Sequence, residues 1–479
     1  MKVKIIIFVI ISLNVLFAEA QQNFYKNFNA LVSQPEYKNA LVGIQIEDAA
    51  TSEIIFGYNG DKLMIPASTL KIVTSAAALE ILGADYRFKT KIGFSGKIMS
   101  NKLEGDLIIV GGGDPALGSE YFRNEYGNPH FMDVWVQKIK AAGIAEINGN
   151  LIIDGSLYDT EKIPPTWIWE DIGNYYGTGV SALTVYDNLF RISFSSSKQS
   201  GEPTKITSIH PDIQGLEIEN NVLSSDINSD LAYVFGSVLD AKREITGTIP
   251  KNRKSFVIKA AVPKPEELLS KEFLSYLAKA GIVIKGEVKF KETNHDQFQV
   301  IYINESPTLA EIIKVLNHES VNLFAEHIVK QIAAEKTGIG NRKNGIEIIK
   351  DYFISKGIDS GFFMEDGSGL SHFNAISSAH ITSILNYMFK TSENKNVFYA
   401  SLASIGYGTL SNFRNINFPQ ESLKVKSGSM SRIRCFAGYL ITDSGKTLSF
   451  SIMFNHFEGT ASKLNSVIEK LWLDMKTSF

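Results

Sequence analysis

The chain has 479 residues, 44% apolar and 21% charged, with 48 Lys and Arg against 51 Asp and Glu and a formal net charge of −3. That length and ordinary globular composition call for two or three domains, and the lack of a basic block or low-complexity tail argues against nucleic acid as a partner. The single cysteine, Cys435, has no second cysteine to pair with, which excludes an internal disulfide framework.

The first segment, "MKVKIIIFVIISLNVLFAEAQQNF", has two lysines, an apolar run from Ile5 to Phe17 and the small-x-small pattern Ala18-Glu19-Ala20. Residues 1–20 read as a secretory signal peptide cleaved near Ala20, which makes the mature protein exported. The other reading, a membrane anchor, needs a run of roughly 20 apolar residues, longer than this one. Next, "ALVGIQIEDAATSEIIFGYNGDKL" reads as two alternating strands, Leu41 to Glu47 and Glu53 to Tyr58. The helical run "PASTLKIVTSAAALEIL" follows directly.

A strand-rich region extends from about Arg87 to Val300, too long for a loop. Within it "KIKAAGIAEINGNLII" and "YLAKAGIVIKGEVKF" resemble each other: a helix ended by Ala-Gly-Ile, a short link, a glycine and a strand. They suggest two similarly built units framing the insert. From about Leu309 the pattern is helical, and beyond "EDGSGLSHFN" the chain ends in a strand, a hairpin and the amphipathic "ASKLNSVIEKLWLDM". The front and back strands fit one antiparallel sheet. The expected organisation is a discontinuous α+β domain, residues 21–86 and 301–479, interrupted by two nested subdomains in residues 87–300. The last helix, apolar at Leu464, Val467, Ile468, Leu471 and Trp472, has two readings, a cover for the sheet or a membrane-surface helix. Cys435, in the alternating "IRCFAGYLI", reads as a buried small hydrophobe on a strand.

Ser68 and Lys71 are three residues apart at a helix start, so Oγ and Nζ share one face. A lysine acts as a base only as a neutral amine. From an unperturbed pKa near 10.4, that form costs roughly 4 to 5 kcal/mol at pH 7 unless burial and a second cation lower the pKa. A Ser-x-x-Lys pair proves little alone, since serine is also a favoured helix cap. Two more pairs occur, Ser195 to Lys198 and Ser392 to Lys395, both in polar, exposed-looking stretches. The rest of the chain supplies the other groups acyl transfer needs. Ser320-Val321-Asn322 places two polar side chains between helical runs as a candidate proton relay. Lys426-Ser427-Gly428 lies on a strand, where glycine permits close approach to the edge. A literal Lys336-Thr337-Gly338 ends a helix instead, with glycines suited to its cap.

Ser68-x-x-Lys71, Ser320-x-Asn322 and Lys426-Ser427-Gly428, in that order, resemble the three boxes of the penicillin-binding proteins and serine β-lactamases. The 249-residue step from Lys71 to Ser320 looks like the D-alanyl-D-alanine carboxypeptidase/endopeptidase group of class C low-molecular-mass penicillin-binding proteins. "GDLIIVGGGDPAL", "YYGTGVSALTVYDN" and "EDGSGLSHFN" have the look of that group too. The middle box carries Val321 where many relatives outside this group have Asp, and the third carries Ser427 for the commoner Thr; neither removes a required group.

The resemblance implies a β-lactamase/transpeptidase-like domain with nested inserts, a periplasmic location, peptidoglycan stem peptides as substrates and β-lactam antibiotics as covalent inhibitors. Ser68 would be the nucleophile, Lys71 the base, Ser320 the relay to the leaving amine, and Asn322 the holder of a substrate amide. Lys426, with the hydroxyls of Ser427 and Ser429, would bind the terminal carboxylate, Gly428 would line the strand edge, and the N–H groups of Ser68 and Ser429 would form an oxyanion hole. After the Trp-x-Trp at Trp167 and Trp169, Asp171 would bind the diamino-acid side chain, with Glu170 as the other candidate. The other reading of Asp171 is a solvated loop carboxylate. Met430 would line that pocket or serve packing. The scheme requires neither metal nor cofactor. A β-lactamase or esterase on the same scaffold, or a non-catalytic wall-binding protein, remain as alternatives, and oligomeric state is not readable.

Overall fold

In the computed structural model the described residues are 22–123, 130–413, 418–419 and 421–479, and the signal-peptide reading lies outside them. The chain divides into two compact units. One holds the described residues up to Ala84, Ile313–Ser320 and Ile349–Phe479; the other holds Asp85–Ile312 and Val321–Ile348.

The first unit is built on a five-stranded antiparallel sheet. Its strands are β1 (Leu41–Asp48), β2 (Ile54–Tyr58), β3 (Leu423–Met430), β4 (Ile433–Ile441) and β5 (Thr447–Asn455), in the spatial order β3-β4-β5-β1-β2. The front and back of the chain therefore pair side by side, with Ile44 opposite Ile452. Strand alternation sends successive residues to opposite faces. Val42, Ile44 and Ile46 of β1 and Leu448, Phe450, Ile452 and Phe454 of β5 pack with Leu464, Ile468, Leu471 and Trp472 of the C-terminal helix Ala461–Ser478. That helix covers the sheet, the first of its two readings. The intervening residues, small or polar apart from Met453, meet the helix Ser378–Lys390. Glu47 accepts from Thr382 Oγ1 and Asn386 Nδ2, and Ser449 Oγ donates to Asn386 Oδ1. Cys435 of β4 is fully buried, and burial pushes its thiol up.

The second unit closes on itself. Its incoming strand Lys89–Phe94 pairs antiparallel with its outgoing strand Gln299–Glu305, and Ser306 N donates to Phe88 O. The two sequence-similar segments lie side by side and parallel, with Val288 opposite Leu151 and Val283 opposite Glu146. A third copy, which the sequence reading missed, completes the stack. Leu103-Glu104-Gly105-Asp106-Leu107 pairs parallel with Ile147 to Leu151, which pairs with Ile284 to Val288. The glycines are needed where the copies touch: Gly149 N donates to Gly105 O and Gly286 N to Gly149 O. A Cβ at Gly286 would lie 2.4 Å from Gly149 O. The first copy follows a hairpin rather than a helix, which is why it lacks the Ala-Gly-Ile signature. Two three-stranded sheets complete the insert. One is Lys205–His210, Leu189–Ser195 and Phe256–Ala261; the other is Glu217–Ser225, Lys242–Pro250 and Leu231–Phe235.

Candidate active site

Ser68 does not sit in a helix cap. It lies in a 3₁₀ turn, Ala67–Leu70, ahead of the helix α1 (Lys71–Ile81), and no side chain caps the turn's N-terminus. Ala67 carries a left-handed φ of 46°, a conformation that costs energy for a residue with a Cβ and recurs at functional sites. Thr69 Oγ1 donates to Pro66 O at 2.7 Å, so the neighbouring hydroxyl stabilises the turn and leaves Ser68 Oγ to the lysine. Every residue of α1 from Lys71 to Leu79 is buried, so the helix is packed on all sides, with its polar side chains hydrogen-bonded: Thr74 Oγ1 donates to Gly367 O and Asn317 Nδ2 to Ser75 Oγ. Lys71 is 0% exposed, its Nζ lies 3.0 Å from Ser68 Oγ, and it donates to Ser368 O at 2.7 Å.

Strand β3 passes along this turn. Lys426, also 0% exposed, donates to Ser320 Oγ at 2.9 Å and to Ser427 O at 2.7 Å. Ser320 holds a left-handed φ of 60°. Burial first, and then the charge of Lys71, holds the Lys426 ammonium well below the ordinary lysine range. Two buried ammonium groups that interact titrate as a pair. Two close, buried ammonium groups repel each other, so this environment favours one neutral amine, the electrostatic condition a lysine base needs. Gly428 fits directly against the turn: a Cβ there would lie 2.6 Å from Pro66 O, 2.9 Å from Thr69 N and 3.0 Å from Ser68 N. What this glycine admits is the protein's own backbone, the turn carrying Ser68. Ser429, next on the strand, is exposed, and Met430 is half-buried at the hairpin end, with its carbonyl accepting from Arg434 Nη1.

Asn322 lies in the second unit, at the start of the helix α2 (Asn322–Thr337). Its Nδ2 donates to Tyr176 O at 2.8 Å, which ties it to the segment holding Trp167, Trp169 and Asp171. Asp171 is 8% exposed, so it is not a solvated loop carboxylate. Burial, and then the Asp171 carboxylate, push the Tyr176 phenol above its usual range, and the two side chains hydrogen-bond. Glu170 and Trp169 are exposed, whereas Trp167 is buried.

The decoys separate from the site. Gly338 caps α2 in the left-handed conformation, φ 85°, so Lys336-Thr337-Gly338 is a helix end. Ser392 is buried rather than exposed, a correction to the sequence expectation. Its Oγ donates to Glu80, a carboxylate that also accepts from Tyr352, Tyr387 and Asn394, and Lys395 Nζ sits 3.6 Å from the Phe389 ring centroid. Ser195 is half-buried on a strand and Lys198 is exposed. Sequence reasoning missed the Ser368 carbonyl, because a backbone acceptor has no residue signature. The dense turn chemistry of "EDGSGLSHFN" was the available signal.

Several known proteins are similar. A family model described as the D-Ala-D-Ala carboxypeptidase 3 (S13) family matches residues 24–471. The chain is 27% identical over 452 residues to a D-alanyl-D-alanine carboxypeptidase of Actinomadura sp. strain R39, covering 91% of this chain and 81% of that one. It is 25% identical over 429 residues to the D-alanyl-D-alanine carboxypeptidase DacB of Haemophilus influenzae, covering 88% and 86%. The crystal structure of penicillin-binding protein 4 from Haemophilus influenzae superposes with a TM-score of 0.80 at 23% identity, over 92% of this chain and 97% of that one. That protein has also been solved in complex with a β-lactam. The predatory peptidoglycan endopeptidase Bd3459 of Bdellovibrio bacteriovorus shares the fold more distantly, with a TM-score of 0.52 at 16% identity, over 91% and 93%. The fold is α+β, with the inserted sheets these structures share.

Proposed function

The chain belongs to the D-Ala-D-Ala carboxypeptidase 3 (S13) family, the class C low-molecular-mass penicillin-binding proteins, and is a serine-type carboxypeptidase; on that premise we propose that it is exported and hydrolyses D-alanyl-D-alanine bonds of peptidoglycan stem peptides through a Ser68 acyl-enzyme. The observation that carries this is the buried Lys71 Nζ, 3.0 Å from Ser68 Oγ, with the buried Lys426 near enough for the two amines to act on each other electrostatically.

Neutral Lys71 takes the Ser68 proton as Oγ attacks the carbonyl of the penultimate D-alanine. The developing oxyanion is held by the backbone N–H groups of Ser68 and Ser429. Lys426, charged when Lys71 is neutral, anchors the substrate's terminal carboxylate with Ser427 and Ser429. It also donates to Ser320, the hydroxyl that passes the proton to the leaving amine. The tetrahedral intermediate then collapses, the C–N bond breaks and D-alanine departs as the amine. Water, deprotonated by Lys71, attacks the ester and returns Ser68. Asn322 holds a substrate amide, Asp171 the ammonium of the diamino acid, and Met430 lines that pocket. Residues 87–300 are proposed as a nested pair of subdomains inside the catalytic domain of residues 21–86 and 301–479. A bond between a D-alanine carbonyl and a D-configured amine centre also occurs in crosslinks, so the same steps serve endopeptidase action. β-Lactams enter as acylating inhibitors, as the relative's complex supports.

The test is labelling by a fluorescent penicillin. Wild type is expected to take a long-lived label, and Ser68→Ala and Lys71→Ala none. A wild type that stays unlabelled refutes the nucleophile, and rapid loss of label indicates a β-lactamase. Released D-alanine from a pentapeptide identifies carboxypeptidase action; loss of dimeric muropeptides identifies endopeptidase action.

A further inference from the structure

The loop from Asp366 to Asn374 is packed into the protein by its own side chains. Asp366, Ser368, Ser371 and Asn374 are all 0% exposed. The Asp366 carboxylate is the acceptor at the loop's centre. Its Oδ1 takes hydrogen bonds from Gly369 N and Asn374 Nδ2, each at 2.8 Å, and its Oδ2 takes one from Ser371 N at 2.6 Å. Three donors converging from three residues close the chain into one compact turn, and charge-assisted bonds of this kind are the strong ones. Two carbonyls of that turn then point at α1. Thr74 Oγ1 donates to Gly367 O at 2.6 Å and Lys71 Nζ donates to Ser368 O at 2.7 Å, from positions three apart on one helix face. Gly369, with φ 83°, lies against the strained residue before the nucleophile: a Cβ there would stand 1.9 Å from Ala67 O.

We propose that Asp366 is a positioning residue for the reaction, acting through the Ser368 carbonyl to set the orientation of Lys71 Nζ toward Ser68. A neutral amine has two N–H groups and one lone pair. Once one N–H is committed to Ser368 O, rotation about the Cε–Nζ bond is restricted, and the lone pair can be kept facing the Ser68 hydroxyl 3.0 Å away. General-base catalysis depends on that alignment, and misplacement by about 1 Å costs about 100-fold in rate. Asp366 touches neither Ser68 nor substrate in this role. It holds the loop that aims the base. The inference rests on the Ser68–Lys71 reading above and goes one residue shell beyond it.

The experiment separates binding from acylation in the full chain. Stopped-flow labelling with a fluorescent penicillin over a concentration series yields the saturating acylation rate and the half-saturating concentration, and the labelled fraction reports how much protein is competent. Asp366→Asn keeps the size of the side chain but sets an amide N–H against the Ser371 N–H. The expected result is a fall of about tenfold or more in the saturating rate, with the half-saturating concentration and the labelled fraction unchanged. A purely structural role would lower the labelled fraction or the melting temperature and leave the rate of the remaining competent molecules at wild type. A fall in saturating rate of less than fivefold in competent protein, or a loss wholly in the half-saturating concentration, overturns the proposal. Should Asp366→Asn not fold, Asn374→Ala removes one donor to the carboxylate and is judged by the same criterion. Ser68→Ala and Lys71→Ala, run alongside, distinguish the two readings. If they still label, the acyl-enzyme assignment fails. If they do not and Asp366→Asn acylates as wild type, only the positioning role fails.

Discussion

Replacing Gly428 by alanine would place a methyl carbon 2.6 Å from Pro66 O, 2.9 Å from Thr69 N and 3.0 Å from Ser68 N. All three are backbone atoms, so no side chain can swing away. Ordinary carbon–oxygen contacts begin near ~3.4 Å, which leaves an overlap of about 0.8 Å. Either β3 must move off the turn or the turn that carries Ser68 must rotate. Overpacking of this kind costs about 1–3 kcal/mol of stability. A nucleophile displaced by a large part of an ångström loses about 100-fold in rate, or roughly 2.7 kcal/mol of transition-state stabilisation. The assay is the second-order rate of acylation by a fluorescent penicillin, with thermal unfolding measured on the same protein. Gly428→Ala is expected to acylate about 100-fold more slowly while melting as a folded protein a few degrees lower. A variant that acylates within about threefold of wild type with an unchanged melting temperature would refute the claim that turn and strand are in obligatory contact.

Two further outcomes follow from buried groups. Burial lowers the pKa of His327 to about 3 in the folded protein, where its ring nitrogens contact Gly113 O and Thr184 Oγ1. An unfolded histidine titrates near 6.5, so this contribution is complete above about pH 6.5 and is lost as pH falls from there toward 3, by up to ~1.4 kcal/mol per unit. Burial raises Asp114 to about 7 and Asp187 to about 6, and their slopes have the opposite sign: their contribution is lost as pH rises above about 4. Urea unfolding of wild type and His327→Gln between pH 4 and 8 isolates the histidine, because the carboxylates cancel in the difference. The variant is expected to be less acid-sensitive, and parallel profiles would count against a neutral buried imidazole. Asp171→Asn should raise KM for stem peptides with a free diamino-acid amine and leave penicillin acylation within about twofold of wild type. Equal losses in both assays would mean that Asp171 serves only to hold Tyr176.

The strands at both ends, the helix after Ser68, the sheet cover from Ala461 to Ser478 and the buried Cys435 were legible because each rests on local periodicity. The decoy at Lys336 was legible for the same reason, since a glycine cap is a local signal. The Ser392 pair was misread because polar neighbours look exposed in sequence, while Glu80, 312 residues away, had drawn that hydroxyl into its hydrogen-bond cluster. The third copy of the strand-glycine-strand unit went unseen because its similarity is one of pairing register rather than of flanking residues.

By itself the sequence determined which side chains are available for acyl transfer, and in what chain order, because side-chain chemistry and helix or strand spacing are local properties. The tertiary structure decided how those groups are held. The left-handed Ala67, the approach of Gly428 to the Ser68 turn and the Ser368 carbonyl that meets Lys71 all act through backbone atoms. Every residue except proline carries the same backbone donor and acceptor, so their placement is set only when distant segments pack.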